Sequence, residues 1–172
     1  MVPRLRDIRP NDKAALTRFH QRLSADTRYR RYHAAKGELT RSELRHLTEV
    51  DGHHHVALVA EVLPSELDGV ADLDGAPPAS DYEVAGVARI VANPARPGEA
   101  EVAIVVRDDV HGHGLGAELI EGVLARGRQE GVRTALAQVQ ADNHRALHLF
   151  QGRGFRQRSG YGPVVELVRD LG

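Results

Sequence analysis

Residues 105–117 read Val-Val-Arg-Asp-Asp-Val-His-Gly-His-Gly-Leu-Gly-Ala (VVRDDVHGHGLGA). An apolar, strand-like run ends at Val106, acids follow at Asp108 and Asp109, and glycines stand at Gly112, Gly114 and Gly116. Beyond them Leu115, Leu119, Ile120, Val123 and Leu124 recur at helical spacing, which predicts a helix to about Glu130 with Gly131 at its C-cap. Glycines at such a junction let a backbone come close to an anion. No side chain stands in the way, the amides from His111 through Gly112, His113, Gly114 and Leu115 to Gly116 point into one concavity, and the helix N-terminus adds the positive end of its dipole. The loop alone leaves several meanings open: a triphosphate, a dinucleotide, a coenzyme pyrophosphate, or a turn whose glycines are conformational only.

Its surroundings narrow the choice. A triphosphate loop needs Gly-x4-Gly-Lys-Ser/Thr, and no lysine follows Gly116. A dinucleotide fingerprint fits better, as Gly112-x-Gly114-x-x-Ala117 with Asp142 ending the next strand. Against it, the loop starts only after the polar insert Arg107-Asp108-Asp109, few residues remain after Asp142, and the upstream strands follow one another without helices.

Upstream, 3–9 reads as a short strand, 11–23 as a helix through Ala15, Leu16, Phe19 and Leu23, and 24–33 (SADTRYRRYH) as a polar, basic loop. Thr40-Arg-Ser-Glu43 is a capping box opening a helix to about Val50. Strands are expected at 53–62, 82–93 and 99–107, with a mobile Asp/Pro/Gly-rich loop at 63–81 between the first two. Downstream come a strand at 134–140, a helix capped by Asp142-Asn143 and ending near Gly152, and two last strands. The order βααβββαβαββ describes an α/β fold of α+β type: a mixed sheet, antiparallel in its N-terminal half, with one parallel strand–helix–strand crossover at the glycine loop.

The 172 residues suit one domain over 1–172, and a formal net charge of −1 advertises neither nucleic acid nor membrane as partner. The chain has no cysteine, so disulfide and thiolate chemistry is excluded. With no apolar leader or spanning run, a soluble, cytoplasmic protein is expected, as monomer or homodimer. His53-His54-His55 point to alternate faces of a strand and match no Cys/Asp/His cluster, so no metal is expected.

His111-Gly112-His113-Gly114-Leu115-Gly116 resembles the acyl-coenzyme A loop of the GNAT superfamily of N-acetyltransferases, Gln/Arg-x-x-Gly-x-Gly/Ala. Asn143-x-x-Ala146-x-x-x-Phe150-x-x-x-Gly154-Phe155 is similar to that family's second coenzyme motif, in the right order and spacing. The sequence departs from the pattern at His111, which stands in place of Gln or Arg, and at Phe150, where many members carry a tyrosine that acts as general acid.

The resemblance implies a GNAT-like fold, acetyl-CoA as co-substrate without a metal, and an amine acceptor. It implies that backbone groups of Ile104, Val105 and Val106 pair with the pantetheine arm, that His111 and His113 lie near phosphate, that Asn143 reaches the pantetheine or the departing sulfur, and that Ala146 and Phe150 wall the coenzyme. The AEVAIVV…GHGLG arrangement looks like bacterial protein lysine acetyltransferases, in which the matching Glu101 is the general base; Glu99 ranks second. Arg28, Arg30, Arg31, Tyr29 and Tyr32 would shape the acceptor side, and Ser159 or Tyr161 are candidates for the vacant acid. Two further readings stand beside a protein-lysine acceptor: a small-molecule amine, and a non-catalytic acyl-CoA sensor.

Overall fold

The computed structural model describes residues 2–64, 82–159 and 162–172. In chain order they form β1 (Arg4–Asp7), α1 (Lys13–Gln21), α2 (Ala25–Tyr32), α3 (Arg41–Thr48), β2 (His55–Val62), β3 (Glu83–Ala92), β4 (Glu99–Val106), α4 (Leu115–Gln129), β5 (Thr134–Gln140), α5 (His144–Gly152), β6 (Arg156–Ser159) and β7 (Val164–Asp170). Most of the expected loop at 63–81 lies outside the described residues.

The strands make one seven-stranded sheet in the order β1-β2-β3-β4-β5-β7-β6. Neighbouring strands pair antiparallel except β4 and β5, which are parallel and joined by the α4 crossover. The mixed architecture expected from the element order is the one observed.

β2 is an almost unbroken apolar run because both of its faces are covered. On one face α4 and α5 close a large core in which Leu119, Ile120, Val123 and Leu124 are fully buried against Leu58, Ile90 and Val102. On the other, α1 and α3 close a smaller core around Phe19, Val59 and Val87. β5 alternates instead, with Ala135, Ala137 and Val139 buried toward α4 and α5 and Gln138 exposed on the opposite face.

The stretch 24–33, expected as a loop, is the helix α2. No residue of it is buried, so hydrophobic periodicity carries no signal there. Ser24 caps it by accepting from the Thr27 N–H at 3.1 Å, Asp26 pairs with Arg30 one turn on at 2.7 Å, and His33 ends it in the left-handed conformation at φ 54°.

Because Leu119 is fully buried where α4 crosses the sheet, Leu119→Ala should lower the unfolding free energy by roughly 2–5 kcal/mol in urea titrations. Val91→Ala, at an exposed strand position, should cost under about 1 kcal/mol by the same measurement.

Candidate active site

β4 and β5 pair for only three residues, Glu99 with Thr134, Ala100 with Ala135 and Glu101 with Leu136, and then diverge. Beyond the fork β4 continues on β3 and β5 continues on β7. Opposite residues of β3 and β4 exchange backbone bonds at Asn93–Glu99 and Ala85–Arg107, both at 2.9 Å. Backbone direction alternates along a strand, so Glu101, Ala103 and Val105 turn their N–H and C=O toward β3, while Ile104 and Val106 turn theirs into the gap. Of the three expected strand contacts, Ile104 and Val106 therefore offer backbone to a ligand in the fork, and Val105 faces the α1 side with its side chain only.

The glycine loop closes the same end of the gap. Gly112 and Gly114 have φ of 84° and 81°, and a Cβ on either would meet nothing within 4 Å, so both are required by conformation. Gly114 is the N-cap of α4. Among the described residues no acceptor meets the five consecutive amides from Gly112 to Gly116, which leaves an electropositive nest at the helix start. Gly116 has a different reason: a Cβ there would lie 2.9 Å from Leu149 Cδ2, so its absence lets α5 press against α4.

His111 does not face outward as a free imidazole. Its Nε2 lies 3.2 Å from the Val106 carbonyl, and its Nδ1 meets the Arg145 guanidinium of α5. An arginine can only donate, so Nδ1 accepts and Nε2–H donates to Val106, which assigns the neutral tautomer. Burial, then the nearby Arg145 charge, push His111 below its ordinary value. His113 is exposed, with Nδ1 at 3.3 Å from the Val110 carbonyl.

The polar insert before the loop is a latch. Arg107 is 2% exposed, bonded to Glu83 at 3.0 Å and to Asp109. Asp108 accepts from Ser24 N–H at 3.0 Å, Ser24 Oγ at 3.2 Å and Thr27 Oγ1 at 2.7 Å, fixing the start of α2 to the end of β4. Arg30, one turn along α2, reaches Asp142 beyond β5 at 2.9 Å. α2 therefore spans the mouth of the fork. Nothing in the sequence marks the α2 pairings, because their partners are over 80 residues apart.

The remaining expected residues fall as follows. Glu101 is exposed at the fork itself, and among the described residues no donor or cation pairs with it. Glu99 lies with Arg96 at 3.5 Å and Arg158 at 3.8 Å. The Asn143 side-chain oxygen caps α5 by accepting from Ala146 N–H at 3.2 Å, which leaves its NH₂ group for a ligand. Ala146 is half-buried against the core. Phe150 is 3% exposed and packs edge-to-face on Phe155, so its ring serves the core rather than a surface wall. Tyr161 and the side chain of Ser159 lie outside the described residues. The three adjacent histidines take separate partners, His53 with Glu130, His54 with Asp51 and His55 with Arg89, and among the described residues no cluster of three His, Cys, Asp or Glu groups suits a metal ion. No helix among those residues is long and apolar enough to cross a membrane.

The model of the acetyltransferase (GNAT) family matches residues 71–155, which include the fork, the nest and α5. The GNAT domain of S. lividans PAT superposes with a TM-score of 0.82 at 25% identity, over 98% of this chain and 90% of that one. The chain carries a GNAT-family acetyltransferase domain. L-methionine sulfoximine/L-methionine sulfone acetyltransferases of Pseudomonas paraeruginosa and Pseudomonas aeruginosa are 34% identical over 68 residues, a stretch that spans 40% of this chain and 39% of theirs. The fold is also that of a Sinorhizobium meliloti phosphinothricin acetyltransferase in complex with AcCoA, at a TM-score of 0.73 and 18% identity, covering 100% of this chain and 90% of that one.

Within this GNAT domain the Asp108 latch is testable by pH. Burial alone would raise its carboxyl, but bonds from Thr27 and Ser24 hold it below the usual value. A depressed carboxyl contributes stability above its unfolded value and loses it as the pH falls through the folded one. Asp108→Ala should cost roughly 1 kcal/mol at neutral pH and much less in acid, and should speed proteolysis within 24–33. Urea unfolding at several pH values and limited proteolysis measure both.

Proposed function

We propose that this protein transfers the acetyl group of acetyl-CoA to a primary amine by direct attack. One observation carries the reading: the strand edge left open at the β4–β5 fork ends at the five unpaired amides of the Gly112–Gly116 nest. A ligand with a strand-like amide arm and a pyrophosphate at its far end fits that pairing of sites. Acetyl-CoA has that shape and, when bound, supplies an activated acetyl thioester. The AcCoA complex of the phosphinothricin acetyltransferase supports the choice.

The residues divide the work. The nest takes the pyrophosphate, joined by Arg145, whose guanidinium stands at the loop entrance where the family pattern carries Gln or Arg. Ile104 pairs with the pantetheine arm. The Val106 carbonyl is already engaged by His111, so the Val106 N–H is the group left to polarise the thioester carbonyl. The Asn143 NH₂ faces the departing sulfur. The acceptor enters from the opposite face of the sheet, under α2, where Glu101 stands. The amine nitrogen bonds to the carbonyl carbon, the C–S bond breaks, the pair goes to sulfur as thiolate, and the amine proton goes to Glu101. Glu101 is three residues from Ile104 along the strand, roughly 10 Å, so it takes that proton through intervening water.

The likeness of the β4 strand and loop to lysine acetyltransferases supports a lysine side chain as acceptor. A second reading, a small amine that carries a carboxylate, has its own support. Arg89 is 5% exposed with no carboxylate partner among the described residues, and it borders a small cavity with Arg31, Tyr32, Ala103 and Val105 on the acceptor face. Relatives named for L-methionine sulfoximine point the same way.

CoA release, followed with a thiol reagent against lysine peptides and amino-acid amines, tests the reading and separates the acceptors. Glu101→Gln should lower kcat by about 10²–10⁴-fold with acetyl-CoA affinity unchanged. Thermal stabilisation by acetyl-CoA without release for any amine would make the protein a sensor, and no stabilisation at all would overturn the coenzyme site. Arg145→Ala should weaken acetyl-CoA binding by roughly tenfold or more in calorimetric titrations, the loss of a charge-assisted bond to phosphate, while leaving the acceptor KM unchanged.

A further inference from the structure

A second basic site lies on the other face of the sheet from the glycine nest. A cavity of about 280 Å³ opens between α1, β1 and the adjoining ends of β2 and β3, floored by Phe19 and Val84. Those two residues belong to the core under α1, whereas Leu115 at the start of α4 belongs to the core on the opposite face. The cavity and the coenzyme nest are therefore separated by the sheet.

Among the described residues six arginines and three carboxylates line the cavity, a formal surplus of three positive charges. Each carboxylate already has a guanidinium. Asp12 and Glu61 are held by Arg6 at 2.8 Å and 2.6 Å, and Glu83 is held by Arg107 at 3.0 Å and by Arg22. These pairs hold the walls in place: the Arg6 side chain is 15% exposed and that of Arg107 2%. Burial alone would raise the Asp12 carboxyl, yet Arg6 and the Arg9 N–H hold it below its usual value.

The surplus charge is what remains. Among the described residues the guanidinium groups of Arg9 and Arg18 form no ion pair with a carboxylate, and Arg4 lies 3.9 Å from Glu61 with its guanidinium over the Tyr82 ring. Asn11, Ala15, Arg18 and Arg22 recur at i, i+4, i+7 and i+11, so one stripe of the first helical segment faces the cavity and repeats the arginine there. Guanidinium groups of Arg4, Arg9 and Arg18, all lining this one cavity, suit a tetrahedral oxyanion, which presents acceptors in several directions, better than a planar carboxylate, which fills one fork.

We propose that this cavity binds a phosphomonoester dianion, independently of the coenzyme site. The cavity admits the phosphate and a small organic group, and the Phe19–Val84 floor gives the organic part an apolar surface.

Isothermal titration at fixed ionic strength with inorganic phosphate, glycerol 3-phosphate and succinate, each with and without saturating acetyl-CoA, tests it. Both phosphates should bind one per chain with acetyl-CoA already present, and succinate at least tenfold more weakly. The double variant Arg9→Gln/Arg18→Gln should lose phosphate binding at least tenfold and keep its acetyl-CoA affinity. Both residues are exposed, and Arg18→Glu alone provides a second variant with the same expectation. Phosphate heat that vanishes on saturation with acetyl-CoA, unchanged binding in both variants, succinate binding as tight as phosphate, or no binding at millimolar phosphate would each overturn the proposal. Failure of acetyl-CoA itself to bind would count against the proposed function alone, because the phosphate titrations of wild type and variants decide the cavity without it.

Discussion

Three residues of parallel pairing between β4 and β5 set the terms for the rest of this molecule. A parallel pair that ran the full length of β4 would leave the backbone of Ile104 and Val106 satisfied and no edge for a ligand. Because the pairing stops at Glu101, the sheet is continuous through its core and forked at the end where the proposed function places the coenzyme. Each strand beyond the fork keeps a partner on its other side, β3 for β4 and β7 for β5, so the opening leaves neither strand unsupported. The carboxylate at the fork and the amides beyond it are then fixed by one strand, which is the rigid support that positioned chemistry requires.

A fork of this kind is held at its mouth by charge. Arg107, Asp108 and Asp109 break the apolar run of β4, and each has work within a few ångströms: Arg107 holds Glu83 and Asp109, and Asp108 takes three donors from the start of α2. Arg30 carries α2 across to Asp142. No residue of α2 is fully buried, so alongside the edge-on packing of Tyr32 on His20, electrostatic and hydrogen-bonded contacts hold it over the gap. Partly exposed contacts of this sort are individually modest, which suits an element that, in the proposed function, admits an acceptor.

Most of the element order, the crossover and the glycine loop were legible because they rest on local patterns: apolar alternation, helical spacing and glycines at a strand–helix junction. The same logic explains what was hidden. α2 has no apolar face, so periodicity is blind to it. The inward or outward turn of the Val105 backbone depends on its register with β3, which no property of residues 99–107 encodes. Phe150, which the family resemblance marks as a coenzyme wall, packs into the core against Phe155 five residues later. The cavity under α1 gathers arginines from β1, α1 and the end of β4, positions far apart in the chain that only the fold brings together.

His111 shows how a departure from a pattern can be absorbed. A neutral imidazole brings no charge to the loop entrance, and protonating it would set two cations in contact and expose the new charge to a half-buried site, so the neutral form is the one the surroundings favour. The cation comes instead from Arg145 on α5. In the proposed function that transfers part of the phosphate site from the loop to a second helix. Arg145 and Leu149 share a face of α5 at i, i+4, and Leu149 is the residue that occupies the space a Cβ on Gly116 would take. Leu149 therefore packs over Gly116, one turn along α5 from Arg145. Gly112 and Gly114 give the loop its conformation, and Gly116 leaves room beside it for the Leu149 side chain of α5.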